Sequence, residues 1–259
     1  MSVIHPTAIV DPQAELHPTA VVGAYSVIAG KVVIGAGTEI GSHVYIDRYT
    51  RIGRDCRIYP FASVGTPPQD KKFKGEKTEL IIGDENVIRE YVTINRGTPD
   101  GGGVTVIGNQ NLLLAYVHVA HDCRLGNGIT MVNVATLGGH VTLEDHAVIG
   151  GLSAVHQFVR IGAHAYVGGK TGVSQDIPPF VLASGERAKL FGLNIVGLKR
   201  YNFSNEAILA LKKAYQTVIR SHLTIQDAML KVEKEVPLLP EVSQFLDFIR
   251  RSQRGIPRR

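Results

Sequence analysis

Aliphatic side chains recur along this chain at every sixth position. Stepping by six from Ile4 meets Val10, Leu16, Val22, Ile28, Ile34, Ile40, Ile46, Ile52, Ile58 and Val64, with no polar residue among them. The register resumes at Ile82, Ile88 and Ile94. It resumes again at Ile107 and runs through Leu113, Val119, Leu125, Met131, Leu137, Leu143, Ile149, Val155, Ile161 and Val167 to Val173. Four places after each aliphatic comes a second, usually small side chain, as at Ala8, Ala14, Ala20, Ser26, Thr38 and Cys56. An amphipathic helix would repeat its apolar stripe every three to four residues, so this period excludes one. It fits a short strand followed by a sharp turn, with the aliphatic and the small residue pointing inward. Gly often follows the aliphatic and is expected to relieve the backbone at the corner. Three hexads make one triangular coil, each strand pairing with its equivalent one coil on. Nine or so coils at about 4.8 Å predict a column roughly 45 Å tall, a parallel β-helix. One hexad cannot bury its apolar face alone, so the stack is the folding unit.

Two interruptions break the register. Continuing it through 70 and 76 would bury Asp70 and Glu76, which an apolar core does not accept. Residues 66–80 are therefore read as an inserted loop carrying Lys71, Lys72, Lys74 and Lys77, and 97–106, with Gly101-Gly102-Gly103, as a second. The gap from Val64 to Ile82 equals three hexads, which suggests looser chain in place of one whole coil. Loops on a rigid scaffold often carry function. After Pro178-Pro179 the pattern turns helical. Ser204 or Asn205 can cap a stripe of Ile208, Leu211, Tyr215, Val218 and Ile219, Thr224 with Asp227 opens a second helix, and Val242, Phe245, Leu246 and Ile249 line a third. The expected organisation is a β-helix over 1–185 and a small α-helical domain over 186–259.

Composition changes this picture little. The chain has 259 residues, no Trp and a net charge of +5. The N-terminal residues form no signal peptide and no stretch is apolar enough to span a membrane, which predicts a cytoplasmic protein without stable membrane insertion. Cys56 and Cys123 fall on the small-residue position of the repeat and read as buried core rather than as a disulfide or nucleophile. Charge is uneven: residues 187–259 carry 14 Lys and Arg against 6 Asp and Glu. A basic end such as Arg250, Arg251, Arg254, Arg258 and Arg259 raises the question of nucleic acid, but interleaved aromatics for stacking are missing. A solvated helix end or an acidic protein partner fits better.

Position within the coil sorts the ten histidines. His121, His140 and His156 lie in hexads that start at Val119, Leu137 and Val155, spaced by 18, so they stack along one edge, with His118 beside them. His146 and His164 stack on a different edge and, like His5, His17, His43 and His222, read as turn or exposed histidines. A neutral imidazole suits a general base near pH 7. Asp122, next to His121, could fix its tautomer as a triad acid does.

At His118-Val119-Ala120-His121-Asp122-Cys123 the chain resembles the UDP-N-acetylglucosamine O-acyltransferases of lipid A biosynthesis, nearly end to end. Supporting segments are Gln69-Asp70-Lys71-Lys72, Ile88-Arg89-Glu90, Asn95-Arg96-Gly97-Thr98, Gly138-Gly139-His140, Ala154-Val155-His156-Gln157-Phe158 and Gly197-Leu198-Lys199-Arg200. The resemblance implies a left-handed helix and a homotrimer with active sites between neighbouring columns. It implies that His121 takes a proton from the sugar 3-hydroxyl, which attacks the thioester of an (R)-3-hydroxyacyl chain on acyl carrier protein. Asp122 would orient His121 and the Gly139 N–H would hold the oxyanion. Gln69, Asp70 and Lys72 would contact sugar or phosphate, and His118, His140, His156 and Gln157 would line the site. Asn194 and Arg200 would reach the nucleotide. Gly169 would leave a deep slot for a long acyl chain. No cofactor or metal is implied, and the basic C-terminal domain would steer the acidic acyl carrier protein. Three positions depart from the family pattern: Asn95 where His is common, Val196 where a Glu sometimes stands, and Tyr201 in place of a second Arg.

Three alternatives remain at this point. Hexad-repeat carbonic anhydrases hold zinc with three histidines, but they carry a pair five residues apart, a spacing missing here. Within the acyltransferases, the N-acylating sibling carries an extra N-terminal domain, for which hexads starting at Ile4 leave no room. Coenzyme A-dependent acetyltransferases are the remaining relatives.

Overall fold

The computed structural model describes residues 3–258, so Arg259 of the basic end and Met1-Ser2 lie outside the described residues. The aliphatic register forms short strands stacked into three parallel walls. The first wall starts at Val3–Ile4, the second at Ile9–Val10 and the third at Glu15–Leu16. Pairing follows the coil length: Val21 lies beside Val3, Val27 beside Ile9 and Val33 beside Glu15. From Val22 upward the inward aliphatics are at most 3% exposed, whereas Ile4, with no coil beneath it, is 40% exposed. The small positions are inside as well, and both cysteines are buried and free.

Corner chemistry departs from expectation. The residue with left-handed backbone is the third after the aliphatic, and it is rarely Gly: Tyr25 has φ 59°, His43 58°, Asp122 60°, Val134 64° and His140 62°. Gly directly after the aliphatic serves close approach between coils instead. A Cβ on Gly23 would stand 2.6 Å from the carbonyl carbon of Gly41, and one on Gly35 2.4 Å from the Gly53 oxygen.

The first excursion does not replace a coil. Val64 lies on the second wall and Ile82 on the third, the next wall in order. Leu80 pairs with Thr50, a spacing of 30 where an unbroken coil has 18, so 12 extra residues bulge from one corner. The second excursion leaves the same corner one coil later, before Val104–Ile107. Both are tied to the column. Arg96 is buried, and its Nη1 donates to Asp47 Oδ2 and to the Gly65 carbonyl, each at 2.9 Å. Its guanidinium also faces the Phe73 ring of the first excursion. The Asn95 amide donates to Thr66 Oγ1 and the Pro67 carbonyl, both at 3.0 Å. Asn95 thus anchors a loop where a His was the family expectation.

Val181–Ser184 extends the first wall and then pairs antiparallel with Lys189–Leu193, a hairpin that the hexad pattern did not announce. Its turn contains the expected 185/186 boundary. The helices follow: α1 (Ile195–Arg200), α2 (Asn205–Tyr215), α3 (Ile225–Glu235) and α4 (Pro240–Arg250). Ser204 caps α2 by accepting from the Ala207 N–H, and Thr224 caps α3 by accepting from that of Asp227. The helical end packs on the column through Arg160 over the Phe248 ring and through Ser252, whose hydroxyl donates to Asp176 at 2.7 Å. Among the described residues no helix is long and apolar enough to cross a membrane.

Candidate active site

The second corner, where the second wall turns into the third, gathers the chemistry. His118 and Val119 form a strand of the second wall, and His121 and Asp122 make the turn that follows. One coil on, His140 takes the left-handed position that Asp122 holds below, and Phe158 takes it above. The His140 and Phe158 rings stack with centroids 4.3 Å apart, and His121 meets His140 edge-on at 5.2 Å. His156 directly follows the strand Ala154–Val155 on the same wall. His121, His140 and His156 therefore share one corner, as their spacing predicts.

His121 Nδ1 lies 2.7 Å from Asp122 Oδ2, and His140 Nε2 lies 3.7 Å from the same oxygen. Asp122 is buried, yet Thr98 serves both its oxygens: the Thr98 N–H donates to Oδ1 at 2.9 Å and its hydroxyl to Oδ2 at 2.7 Å. Burial alone would push this carboxyl up, but the hydrogen bonds from His121 and Thr98 outweigh it and hold it below the usual range. An ionised Asp122 can only accept, so His121 must carry its proton on Nδ1, leaving Nε2 bare. The Cε1–Nε2 edge of the ring faces Gly139, where a Cβ would stand 2.6 Å from Cε1 and 2.8 Å from Nε2. Burial depresses both His140 and His118, and His121 adds to each, while Asp122 and Asp70 oppose the shift at His140. His118 Nδ1 is engaged by the Thr93 hydroxyl at 2.7 Å.

The remaining candidates sort by position. Asp70 acts electrostatically on His140 from the first excursion, while Gln69 and Lys72 lie exposed on that loop. His156 and Gln157 are exposed, and His156 borders a cavity of about 720 Å³ shared with Arg187, Lys189 and Arg258. Gly169 sits at the first corner, between Tyr166–Val167 and Gly172–Val173, away from the His121 corner. A Cβ there would meet the Gly151 oxygen at 3.2 Å, so a side chain needs a small adjustment.

Asn194 and Arg200 belong to another edge. With His146, His164 and Tyr201 they border a groove of about 710 Å³ at the third corner. Asn194 caps α1, accepting from the Gly197 N–H, and donates to the His164 carbonyl at 3.0 Å. His146 and His164 stack at 4.8 Å, and Tyr201 packs on both rings. Burial, with His146 beside it, lowers His164 to about 4. Sequence reasoning set these two histidines aside as turn residues. Their spacing of 18 was the available signal, but nothing in the hexads revealed that the helical domain folds over them.

His121, Asp122 and His140 place their ligand atoms within 4.8 Å of one another. Hydrogen bonds from Thr98 and His121 already engage the carboxylate, so this donor set is turned inward on itself rather than toward a vacant centre.

A family model described as Udp N-acetylglucosamine O-acyltransferase, Domain 2, matches residues 176–257, and one for bacterial transferase hexapeptides matches residues 13–48. An acyl-carrier-protein–UDP-N-acetylglucosamine O-acyltransferase of Janthinobacterium sp. (strain Marseille) is 53% identical, with 100% of both chains covered. One from Myxococcus xanthus is 50% identical, again over 100% of each. Among solved structures, LpxA from Acinetobacter baumannii superposes with a TM-score of 0.96 at 41% identity, covering 99% of this chain and 100% of that one. An Arabidopsis UDP-N-acetylglucosamine acyltransferase gives 0.87 at 34% identity, over 98% and 100%.

Proposed function

Because the chain belongs to the UDP-N-acetylglucosamine O-acyltransferase family, we propose that His121 is the base that readies the sugar 3-hydroxyl for attack on an acyl thioester. The enzyme moves an acyl chain from acyl carrier protein to UDP-N-acetylglucosamine, the first step of lipid A biosynthesis. His121 Nε2 accepts the hydroxyl proton as the sugar oxygen attacks the carbonyl carbon of an (R)-3-hydroxyacyl chain. The Gly139 N–H steadies the oxyanion, the C–S bond then breaks, and the proton passes from His121 to the departing thiolate. Asp122 keeps Nδ1 protonated and balances the imidazolium while it exists. One observation carries this reading: the 2.7 Å contact between His121 Nδ1 and a buried carboxylate, with the Cε1–Nε2 edge of the ring against Gly139. His121→Ala should lower turnover by about 10²–10⁴-fold, the usual worth of a positioned proton acceptor. Near-normal turnover would refute the assignment.

Around this centre, Gln69, Asp70 and Lys72 reach the sugar and its phosphates, His118, His140, His156 and Gln157 line the cleft, and Asn194 and Arg200 take the nucleotide. The last two stand on a different corner from His121, so one copy cannot bring both to one substrate. A homotrimer can. Its support is an exposed ridge along the first corner, where Tyr25, His43, Phe61, Tyr91 and Tyr116 stack at 4.8 to 5.2 Å. Val134 and Leu152 continue that ridge in the open. Three columns meeting at this ridge set the second wall of one against the first wall of the next. The third corner of one copy then stands beside the second corner of its neighbour.

Several finer assignments follow from the same reading. The coils wind left-handed, 1–185 and 186–259 act as the two domains, and the protein works in the cytoplasm without a cofactor or metal. The basic C-terminal domain steers acyl carrier protein. Gly169 leaves room for a chain of about 14 carbons rather than about 10, selection by shape exclusion. Gly169→Met should shift preference toward shorter chains, and an unchanged chain-length profile would remove that role. Zinc chemistry of the carbonic anhydrase type needs histidines around an open point, whereas here a carboxylate already paired with Thr98 and His121 fills the middle. Metal analysis of the purified protein checks this. Activity with coenzyme A thioesters equal to that with acyl carrier protein thioesters would favour an acetyltransferase instead.

A further inference from the structure

The second excursion does more than decorate the corner from which it leaves. Thr98 and Asp122 are each 5% exposed, and two hydrogen bonds join them, one to each carboxylate oxygen. The direction of the hydroxyl bond is set on the spot. Thr98 Oγ1 accepts from the Gly101 N–H at 3.2 Å, so its own hydrogen is left to point at Asp122 Oδ2. Gly101 also lies flat against the carboxylate: a Cβ there would stand 2.0 Å from Asp122 Cγ. From the other side, the Asp122 N–H donates to Thr105 Oγ1 at 2.8 Å, and Thr105 belongs to the strand that ends the same excursion.

We propose that Thr98 is a positioning residue of the catalytic pair, holding the Asp122 carboxylate in the one rotamer that presents Oδ2 to His121 Nδ1. The inference rests on His121 as the base. Thr98 itself touches neither substrate nor the reacting atoms. Gly101 completes the arrangement by covering the carboxylate and excluding water, which strengthens each hydrogen bond it accepts. The chain Gly101 N–H to Thr98 Oγ1, Thr98 O–H to Asp122, and Asp122 to His121 runs from the excursion to the base. It gives the Gly101-Gly102-Gly103 loop a task in catalysis.

Thr98→Val keeps the shape and the backbone N–H but removes the hydroxyl donor. It should lower kcat by about tenfold, the scale of one charge-assisted hydrogen bond, with KM for UDP-N-acetylglucosamine unchanged. The acid limb of the kcat/KM profile should move to higher pH, because Asp122 becomes easier to protonate and must be ionised for activity. Thr98→Ser should restore both. Gly101→Ala, whose added methyl pushes the carboxylate off the intact Thr98 side chain, should lower kcat with the same shift of the acid limb. Wild-type kcat and an unmoved limb in Thr98→Val or in Gly101→Ala would overturn the proposal, and so would a Ser variant as impaired as the Val one. Each of those results leaves His121 untouched as the base, whereas an active His121→Ala would remove the base assignment itself.

Discussion

Two corners of this column carry histidines in successive coils, and only one is arranged for proton transfer. At the second corner the order is His121-Asp122, and the carboxylate occupies the left-handed position beneath His140. At the third corner the order is reversed, Asp145-His146, and the imidazole occupies that position beneath His164. The reversal decides what each carboxylate can reach. Asp122 turns to His121 at 2.7 Å, while Asp145 accepts from the Asn127 N–H of the coil below at 2.7 Å. Asp145 is part of a ladder tying coil to coil. The imidazoles it leaves behind face rings: Nδ1 of His146 and of His164 are buried and find no hydrogen-bond partner. A histidine is readied as a base where an acceptor fixes its tautomer, as the Asp122 carboxylate does for His121 and Asp145 does not for His146. Otherwise it is a flat half-polar surface.

The largest expected difference between the corners is catalytic. His121→Ala should lose about 10²–10⁴-fold in kcat, whereas His164→Phe should leave kcat near normal and act, if anywhere, on KM for the sugar nucleotide. Equal losses of kcat in steady-state assays of the two variants would break the comparison. The next effect is on stability. The excursions of the second corner are pinned by the buried Asp47–Arg96 pair, side chains 10% and 5% exposed. Asp47→Ala strands the guanidinium and should cost about 3–5 kcal/mol, read as a lower denaturant midpoint, with activity falling before the fold is lost.

A smaller effect distinguishes the third corner by pH. His164 sits at about 4 in the fold against an ordinary 6.5, so between these values the unfolded chain binds a proton that the folded chain refuses. Stability fully present above pH 6.5 is therefore lost as pH falls toward 4, on the order of 2 kcal/mol from this group. His164→Phe should flatten that part of the stability-against-pH curve, measured by denaturant titration. An unchanged slope would show that His164 is protonated at no cost where it sits.

The three walls and the shared corner of His121, His140 and His156 were legible in the residues because a strict period of six leaves each side chain one address. The glycine after the aliphatic was misread, since spacing marks a special position without saying whether torsion or close approach makes it special. Thr98 was quoted only within a recognisable segment, and its contact with Asp122 escaped because an excursion has no period to place it. The first excursion was taken for a missing coil, as its length happens to equal three hexads. Asn194 and Arg200 were expected to reach the nucleotide, without a corner assigned to them. The fold sets them on the third corner, because the hairpin and α1 close over His146 and His164.

That separation makes one experiment decisive for the division of labour between the corners. His121→Ala and Arg200→Ala chains, each impaired alone, would be co-assembled in equal amounts and assayed with saturating acyl carrier protein thioester. If one copy supplies the base and its neighbour grips the nucleotide, about a quarter of the sites regain both groups and activity rises well above that of either variant. Activity no greater than the average of the two parent variants would contradict a site shared between copies.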